Sequence, residues 1–158
     1  MKTAQKKMSE PKKIGFIVAT AITSFLLLFI ALLSFGREDV KKCTVVIGNK
    51  TFNNVELADT AEKLVMGLSG RQAKQTMLFK FPASGYYSFW MKDMLFSLDL
   101  VWISDKMKVV NIDRNLAPCA NITNCERYNP PEPIMYVLEL PAGTAHSLKI
   151  NQTVQIKY

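Results

Sequence analysis

The sequence predicts a mainly β domain that follows one membrane-spanning helix. Residues 14–35 are a run of twenty-two residues without a charge, long enough to cross a bilayer. After residue 43 the chain contains seven or so short segments rich in β-branched and aromatic side chains, and only one or two short helical stretches. We therefore expect a single-pass N-terminal transmembrane helix and then a small β-sandwich or partly closed β-barrel.

The apolar run, Ile14–Phe35, would be about 33 Å long as a helix, against a hydrocarbon core of about 30 Å. Five lysines precede it and three basic residues follow it, which predicts that residues 1–13 are a basic cytoplasmic tail. A cleaved signal peptide is the alternative, but its apolar part usually spans about 7–15 residues and ends at a small-x-small site. Leu33-Ser34-Phe35-Gly36 lacks that pattern. We expect an uncleaved anchor, a polar stalk at 36–42, and an extracytoplasmic domain at the cell membrane.

The net charge of +7 is concentrated around the predicted anchor. Residues 1–42 carry eight basic and three acidic side chains, whereas residues 43–158 carry twelve and ten. Basic residues beside a membrane span suit anionic lipid head groups, so the bilayer is the partner that this charge predicts. Nothing in this distribution indicates nucleic-acid binding. The 116 residues from 43 to 158 fit one domain.

The chain has three cysteines, and two of them lie close together in sequence. In an extracytoplasmic domain, Cys119 and Cys125 are candidates for a disulfide that would contribute about 2 kcal/mol, and two free thiols are the alternative. Cys43 is left over and is expected to be buried or free. His146 is the only histidine and there is no second pair of cysteines, so we predict neither a metal site nor a cofactor.

The β segments are bounded by turn residues such as Gly48-Asn49 and Ser104-Asp105-Lys106. Residues 114–133 hold four prolines and two cysteines and are typical of a long loop, and residues 142–148 are expected to form a helical turn. The predicted strands are Thr44–Ile47, Thr51–Ala58, Met77–Phe81, Tyr86–Met91, Ser97–Ile103, Lys108–Ile112, Ile134–Leu140 and Thr153–Lys157.

A short helix is predicted between the second and third strands. Asp59 is the expected N-cap, because Glu62 follows three residues later, and Gly67 is expected to end the helix. On this assignment three apolar side chains would face inward: Leu64, Val65 and Leu68.

Five sequence blocks carry a resemblance to a known family. The blocks are VELADTAEKLVMGLSGR (Val55–Arg71), MLFKFP (Met77–Pro82), SFWMKDMLFSLDLVWIS (Ser88–Ser104), APC (Ala117–Cys119) and YVLELPAG (Tyr136–Gly143). In these blocks and their order the chain resembles domain-of-unknown-function family 192 over nearly all of residues 43–158. The resemblance implies a compact, mostly β domain that often follows a signal peptide or membrane anchor, and it implies no reaction.

Two acidic residues, Asp99 and Glu139, interrupt otherwise apolar predicted strands. Since a strand alternates its faces, each acid can point to water while its neighbours fill the core. The other interpretation places both acids in a cleft, where a buried carboxylate needs a cationic or hydrogen-bonding partner. Arg71 and Lys92 are the candidate partners, because each lies in a polar break between apolar stretches.

Trp90 and Lys92 are expected on one face of their strand. An aromatic ring beside a cation suits stacking on a ligand, although a Trp on an edge strand can also be half covered by a loop. The candidate ligand-binding set is therefore Arg71, Trp90, Lys92, Asp99 and Glu139.

We expect a domain that binds an unknown small ligand or an envelope protein. An extracytoplasmic hydrolase is the alternative, with Asp99 and Glu139 as a carboxylate pair for general acid–base catalysis. A third hypothesis is soft Cu(I) binding by methionines such as Met91 and Met94, although thioethers more often fill gaps in a core.

Overall fold

The structure is a computed structural model that describes residues 25–30, 40–72, 74–119 and 122–158. Residues 25–30 are helical and exposed. Within the described residues, no helix has both the length and the apolar character needed to cross a membrane. Most of the predicted span at 14–35 lies outside the described residues, as do the tail at 1–13 and the first part of the stalk.

The described residues from 42 onward form nine strands, one short α-helix and one 3₁₀ turn at Ile122–Asn124. The α-helix, α1, spans Ala61–Met66 and lies between the second and third strands. The strands are β1 Lys42–Ile47, β2 Lys50–Ala58, β3 Met77–Gly85, β4 Phe89–Trp90, β5 Leu98–Ile103, β6 Val109–Leu116, β7 Arg127–Tyr128, β8 Ile134–Pro141 and β9 Val154–Lys157.

Seven of the strands form one curled sheet, in the order β6-β5-β8-β3-β2-β1-β9, and β4 and β7 form a separate two-stranded ribbon. The pairs are antiparallel except for β2 with β3. The two edges of the sheet meet at one end, where Lys108 bridges Thr153 and the Val109 N–H donates to the Gln152 carbonyl. The fold is therefore mainly β and a partly closed curl rather than two packed sheets.

The central strands of the sheet are covered on both faces. All six residues of β5 are buried. Because successive side chains point to opposite faces, neither face of this strand is open to solvent. The inner cluster takes side chains from both edges and the centre of the sheet, so it fills the inside of the curl, and it includes Val45, Leu57, Val101, Leu140 and Val154. The outer cluster lies on the other face and includes Leu68, Met77, Phe79, Leu100 and Trp102.

The predicted short helix is present, but two details of the prediction were wrong. Its N-cap is Thr60 rather than Asp59: the Thr60 hydroxyl accepts a hydrogen bond from the Lys63 N–H at 3.3 Å, while Asp59 forms an ion pair with Lys41 at 2.8 Å. Val65 does not face inward, because 82% of its side chain is exposed. Gly67 ends the helix as predicted, with a positive φ of 52° that favours glycine.

Candidate functional site

A groove of about 490 Å³ opens on the outer face of the curled sheet, between α1 with the residues that follow it and the segment around β4. We call it the α1–β4 groove. Apolar and aromatic side chains make up most of its walls, as is usual for small-molecule sites. Its lining residues are Ala61, Leu64, Val65, Met66, Gly67, Leu68, Ser69, Phe79, Phe81, Pro82, Tyr87, Ser88, Phe89, Trp90, Met94 and Glu139.

Hydrogen bonds fasten one wall of the groove to the other at one end. The Ser69 hydroxyl donates to the Lys92 carbonyl at 3.1 Å, and the Gly70 N–H donates to the Asp93 carbonyl at 2.8 Å. The Cys119 N–H donates to the Met91 carbonyl at 3.0 Å on the same segment. These contacts hold the β4 side of the groove at a fixed position relative to the end of α1.

Aromatic rings support the groove from below. Phe89 contacts Phe79 and Trp102 edge to face, with ring centroids 4.9 and 5.4 Å apart. Tyr87 stacks on Phe81, and its hydroxyl donates to the Ala83 carbonyl at 2.9 Å. Packed aromatic pairs of this kind favour a preformed wall, because their geometry is specific and their buried area is large.

Glu139 is the one carboxylic acid among the described residues that line the groove. Its side chain is 6% exposed, and its Oε2 atom is buried without a hydrogen-bond partner among the described residues. Burial raises the pKa of Glu139 from an ordinary 4.5 to about 8, and the positive charge of Arg71 opposes this rise. At neutral pH Glu139 is therefore a neutral acid with a proton to donate.

Asp99, the other predicted acid, lies on the opposite face of the sheet from Glu139. Its cross-strand partner is Leu140, a residue of the inner cluster, whereas Glu139 pairs with Leu100 of the outer cluster. Asp99 is fully buried and accepts hydrogen bonds from the Asn115 and Ala145 N–H groups, both at 2.8 Å. The two carboxylates thus do not share a cavity, and the arrangement needed by the alternative hydrolase does not form.

Arg71, predicted to pair with one of these acids, instead binds Glu56 through two hydrogen bonds of 2.6 and 3.0 Å. It also donates to the Gln75 side chain at 2.6 Å. The Arg71 hydrogen bonds lower the pKa of Glu56. Arg71 therefore lies beside the α1–β4 groove, in a polar depression of its own, and acts on Glu139 only through its charge.

Trp90 and Lys92 lie together, but not on one face of a strand as predicted, because β4 ends at Trp90 and Lys92 lies in the turn that follows. Trp90 lines the groove with 40% of its side chain exposed, and the Lys92 Nζ lies 5.2 Å from its ring centroid. The sequence did not predict a second cation at this ring: Arg127 pairs with Trp90 across the β4–β7 ribbon, and its guanidinium carbon lies 4.4 Å from the ring centroid. Of the five predicted site residues, the structure thus brings three together at the α1–β4 groove.

Two exposed apolar side chains at the groove were also missed. Val65 is 82% exposed and Met66 is 58% exposed, and both line the groove from α1. The available signal was the consecutive apolar run Leu64-Val65-Met66, because three adjacent residues of a six-residue helix cannot all face one core.

Cys119 and Cys125 are placed for a disulfide, with Cα atoms 5.6 Å apart, as predicted. Cys43 is a buried free thiol on β1, and burial raises its pKa. Among the described residues, no group of three or more His, Cys, Asp or Glu side chains is arranged to hold a metal ion.

Comparison with known proteins gives relatives of the same fold. The chain is similar to a crystal structure from Sinorhizobium meliloti 1021 described as a "putative transcription regulator", at 27% identity and a TM-score of 0.67 over 76% of this chain and 97% of that one. It is also similar to a protein of unknown function from Novosphingobium aromaticivorans DSM 12444, at 25% identity and a TM-score of 0.62 over 75% and 85%.

No curated protein matches the chain. The match to a protein family extends from residue 43 to residue 158, which is the whole β domain. The chain therefore belongs to domain-of-unknown-function family 192, described as "Uncharacterized ACR".

Proposed function

We propose that this protein is a membrane-anchored, extracytoplasmic domain that binds a small apolar ligand in the α1–β4 groove. One observation carries the proposal: Glu139 Oε2 is buried and has no hydrogen-bond partner among the described residues, at a groove of about 490 Å³ that is otherwise mostly apolar. A ligand that contacts this oxygen would supply the missing partner.

The energetic cost of Glu139 supports a role in binding. An unsatisfied buried polar group costs about 1–3 kcal/mol, and an apolar side chain of similar size would avoid that cost. Val65 and Met66 add a second cost, because both leave apolar surface in water at the same groove. One apolar ligand would cover these two side chains and also reach the carboxyl group.

The protonation of Glu139 indicates the chemistry of the ligand. Because its pKa is about 8, the side chain donates a hydrogen bond at neutral pH. The group that suits it is a carbonyl or similar acceptor on an apolar body. Above pH 8 the acid ionises, and a carbonyl oxygen would then face a carboxylate.

The experiment is a titration with decan-2-one, which combines an apolar chain with one carbonyl acceptor. The full chain is placed in phosphatidylcholine nanodiscs with ¹³C-methyl methionine, so that the Met66 and Met94 signals report binding at the groove. Met107 packs against the inner cluster and serves as an internal reference. We expect saturable shifts of Met66 and Met94, with affinity about tenfold weaker at pH 9.5 than at pH 6.5.

Two substitutions at one position separate the hydrogen bond from the fold. In E139Q an amide still donates but does not ionise, so its affinity should be the same at both pH values. In E139M the donor is lost, so the affinity at pH 6.5 should fall about tenfold while the protein stays folded. Equal affinity of E139M and the wild type, or unchanged Met66 and Met94 signals, would contradict the proposal.

The sequence supports the proposed membrane anchor and the proposed extracytoplasmic location of the domain. The uncharged run at 14–35 is long enough to span, more basic residues precede it than follow it, and Cys119 and Cys125 are placed for the disulfide expected outside the cytoplasm. Protease added to intact cells should digest residues 43–158. Digestion only after lysis would overturn the proposed orientation.

A further inference from the structure

Two cations flank an exposed aromatic ring at the α1–β4 groove. Lys92 and Arg127 approach the Trp90 ring to 5.2 and 4.4 Å, measured from the Lys92 Nζ and the Arg127 guanidinium carbon to the ring centroid. Each cation–π contact of this kind is attractive and favours a placement of the charge near the ring. Both charges are therefore held next to a residue that lines the groove.

Neither cation is neutralised by an acid. Across residues 40–72, 74–119 and 122–158, the ion pairs join Lys41 to Asp59 and Arg71 to Glu56. Glu126 precedes Arg127 in the chain, but it accepts a hydrogen bond from the Tyr128 hydroxyl at 3.1 Å. The Trp90 side of the groove thus carries two positive charges that no acidic side chain in the described residues pairs with.

The backbone fixes where these two side chains begin, and the contacts with the Trp90 ring place their charges. Lys92 is held by its carbonyl, which accepts from the Ser69 hydroxyl on the opposite wall. Arg127 is held by the ribbon pairing with Trp90 and lies two residues after Cys125. A preorganised pair of cations loses little freedom when an anion arrives, which favours recognition of a single anionic group.

Resting on the proposed function, we propose that the ligand of the groove is a single-chain anionic amphiphile. Its apolar body lies in the groove with its acceptor at Glu139, and its anionic group, such as a carboxylate, lies at Trp90 between Lys92 and Arg127. A cationic amphiphile is disfavoured, because it would have to bring its charge next to two like charges. The volume of the groove suits a small molecule.

The test compares two ligands that differ only in the anion: 9-oxodecanoate and decan-2-one. Full chain in phosphatidylcholine nanodiscs is titrated at pH 6.5, with the Met66 and Met94 signals as the readout and empty nanodiscs as the correction for partitioning. We expect 9-oxodecanoate to bind about tenfold more tightly in 20 mM salt and about threefold more tightly in 500 mM salt, because salt screens exposed charges.

The variant K92Q/R127Q should bind both ligands with the same affinity, because the charges that distinguish them are gone. The matched control K50Q/K106Q removes the same number of charges from exposed lysines elsewhere on the domain, and it should keep the preference. If the double variant melts early, the single variants K92Q and R127Q should each lose about threefold of the preference.

The outcomes separate this inference from the proposed function. If the wild type binds the two ligands equally, or if the preference survives in K92Q/R127Q, the proposal of an anionic ligand is wrong. The proposal that the α1–β4 groove binds an apolar ligand is then unaffected. Tighter binding of decylammonium than of 9-oxodecanoate also overturns it. No saturable shift of Met66 and Met94 with any ligand overturns both proposals.

Discussion

The two faces of the curled sheet treat a buried acid in opposite ways. Asp99 on the inner face accepts two backbone hydrogen bonds at 2.8 Å, whereas Glu139 on the outer face has an oxygen with no partner among the described residues. They lie on the neighbouring strands β5 and β8, and Glu139 is one residue away from Leu140, the partner of Asp99. Because successive side chains of a strand point to opposite faces, the two acids lie on opposite faces of the sheet. The comparison teaches that a buried carboxyl group is structural where the fold supplies its hydrogen-bond partners, and the proposed function assigns a ligand to the one whose partner is missing.

The largest expected effect is at Asp99. D99A would leave the buried Ala145 N–H unpaired and would remove the carboxylate acceptor of the Asn115 N–H, so we expect a loss of roughly 3–5 kcal/mol of unfolding free energy. Urea unfolding at pH 7 measures it, with E139M as the control at the corresponding place on the outer face. If D99A is as stable as the wild type, Asp99 has no structural role, and the contrast drawn between the two faces is wrong.

The next effect is the pH dependence that Glu139 confers. Its pKa is about 8 in the folded protein and near 4.5 in the unfolded protein. Between pH 4.5 and pH 8, therefore, the folded protein binds a proton at Glu139 that the unfolded protein releases. Stability should therefore fall as pH rises from about 5 to about 8 and then level off. The shift sets an upper limit near 5 kcal/mol, and we expect roughly 2–4 kcal/mol.

Unfolding of the wild type and E139Q at pH 5, 7 and 9 measures this difference. E139Q cannot ionise at this position and should lose less stability over the range. Parallel curves for E139Q and the wild type would show that Glu139 ionises normally and has a partner.

A smaller effect should follow from the loss of Arg71. R71M leaves Glu56 nearly buried without its cation, so we expect a cost of about 2 kcal/mol at pH 7, and R71M/E56Q should recover part of it. Because Arg71 lowers the pKa of Glu139, R71M should also move the pH window of Glu139 upward. An unchanged window would mean that Arg71 does not act on the groove.

The sequence predicted most of the fold and only part of the site. The β segments were visible because β-branched and aromatic runs are local features, and the end of α1 was visible because Gly67 marks it. The faces of the sheet on which Asp99 and Glu139 lie could not be predicted. Alternation shows which residues of one strand share a face, but it does not show which of the two clusters that face contacts. Arg127 was missed because a two-residue ribbon, Phe89–Trp90 with Arg127–Tyr128, has no periodic signal.

An effect no larger than that of R71M is expected at the cysteine pair, where Cys119 packs against the outer cluster. The Cys119 N–H donates to the Met91 carbonyl, and Arg127 follows Cys125 by two residues, so the disulfide links the wall of the groove to the strand that carries one of its cations. C119S/C125S should cost about 2 kcal/mol of stability. It should also weaken the preference for an anionic ligand and leave the Met107 signal of the inner cluster unchanged. If C119S/C125S shifts the Met107 signal but keeps the preference for the anionic ligand, the disulfide stabilises the inner cluster as well. The two faces of the sheet would then not be independent.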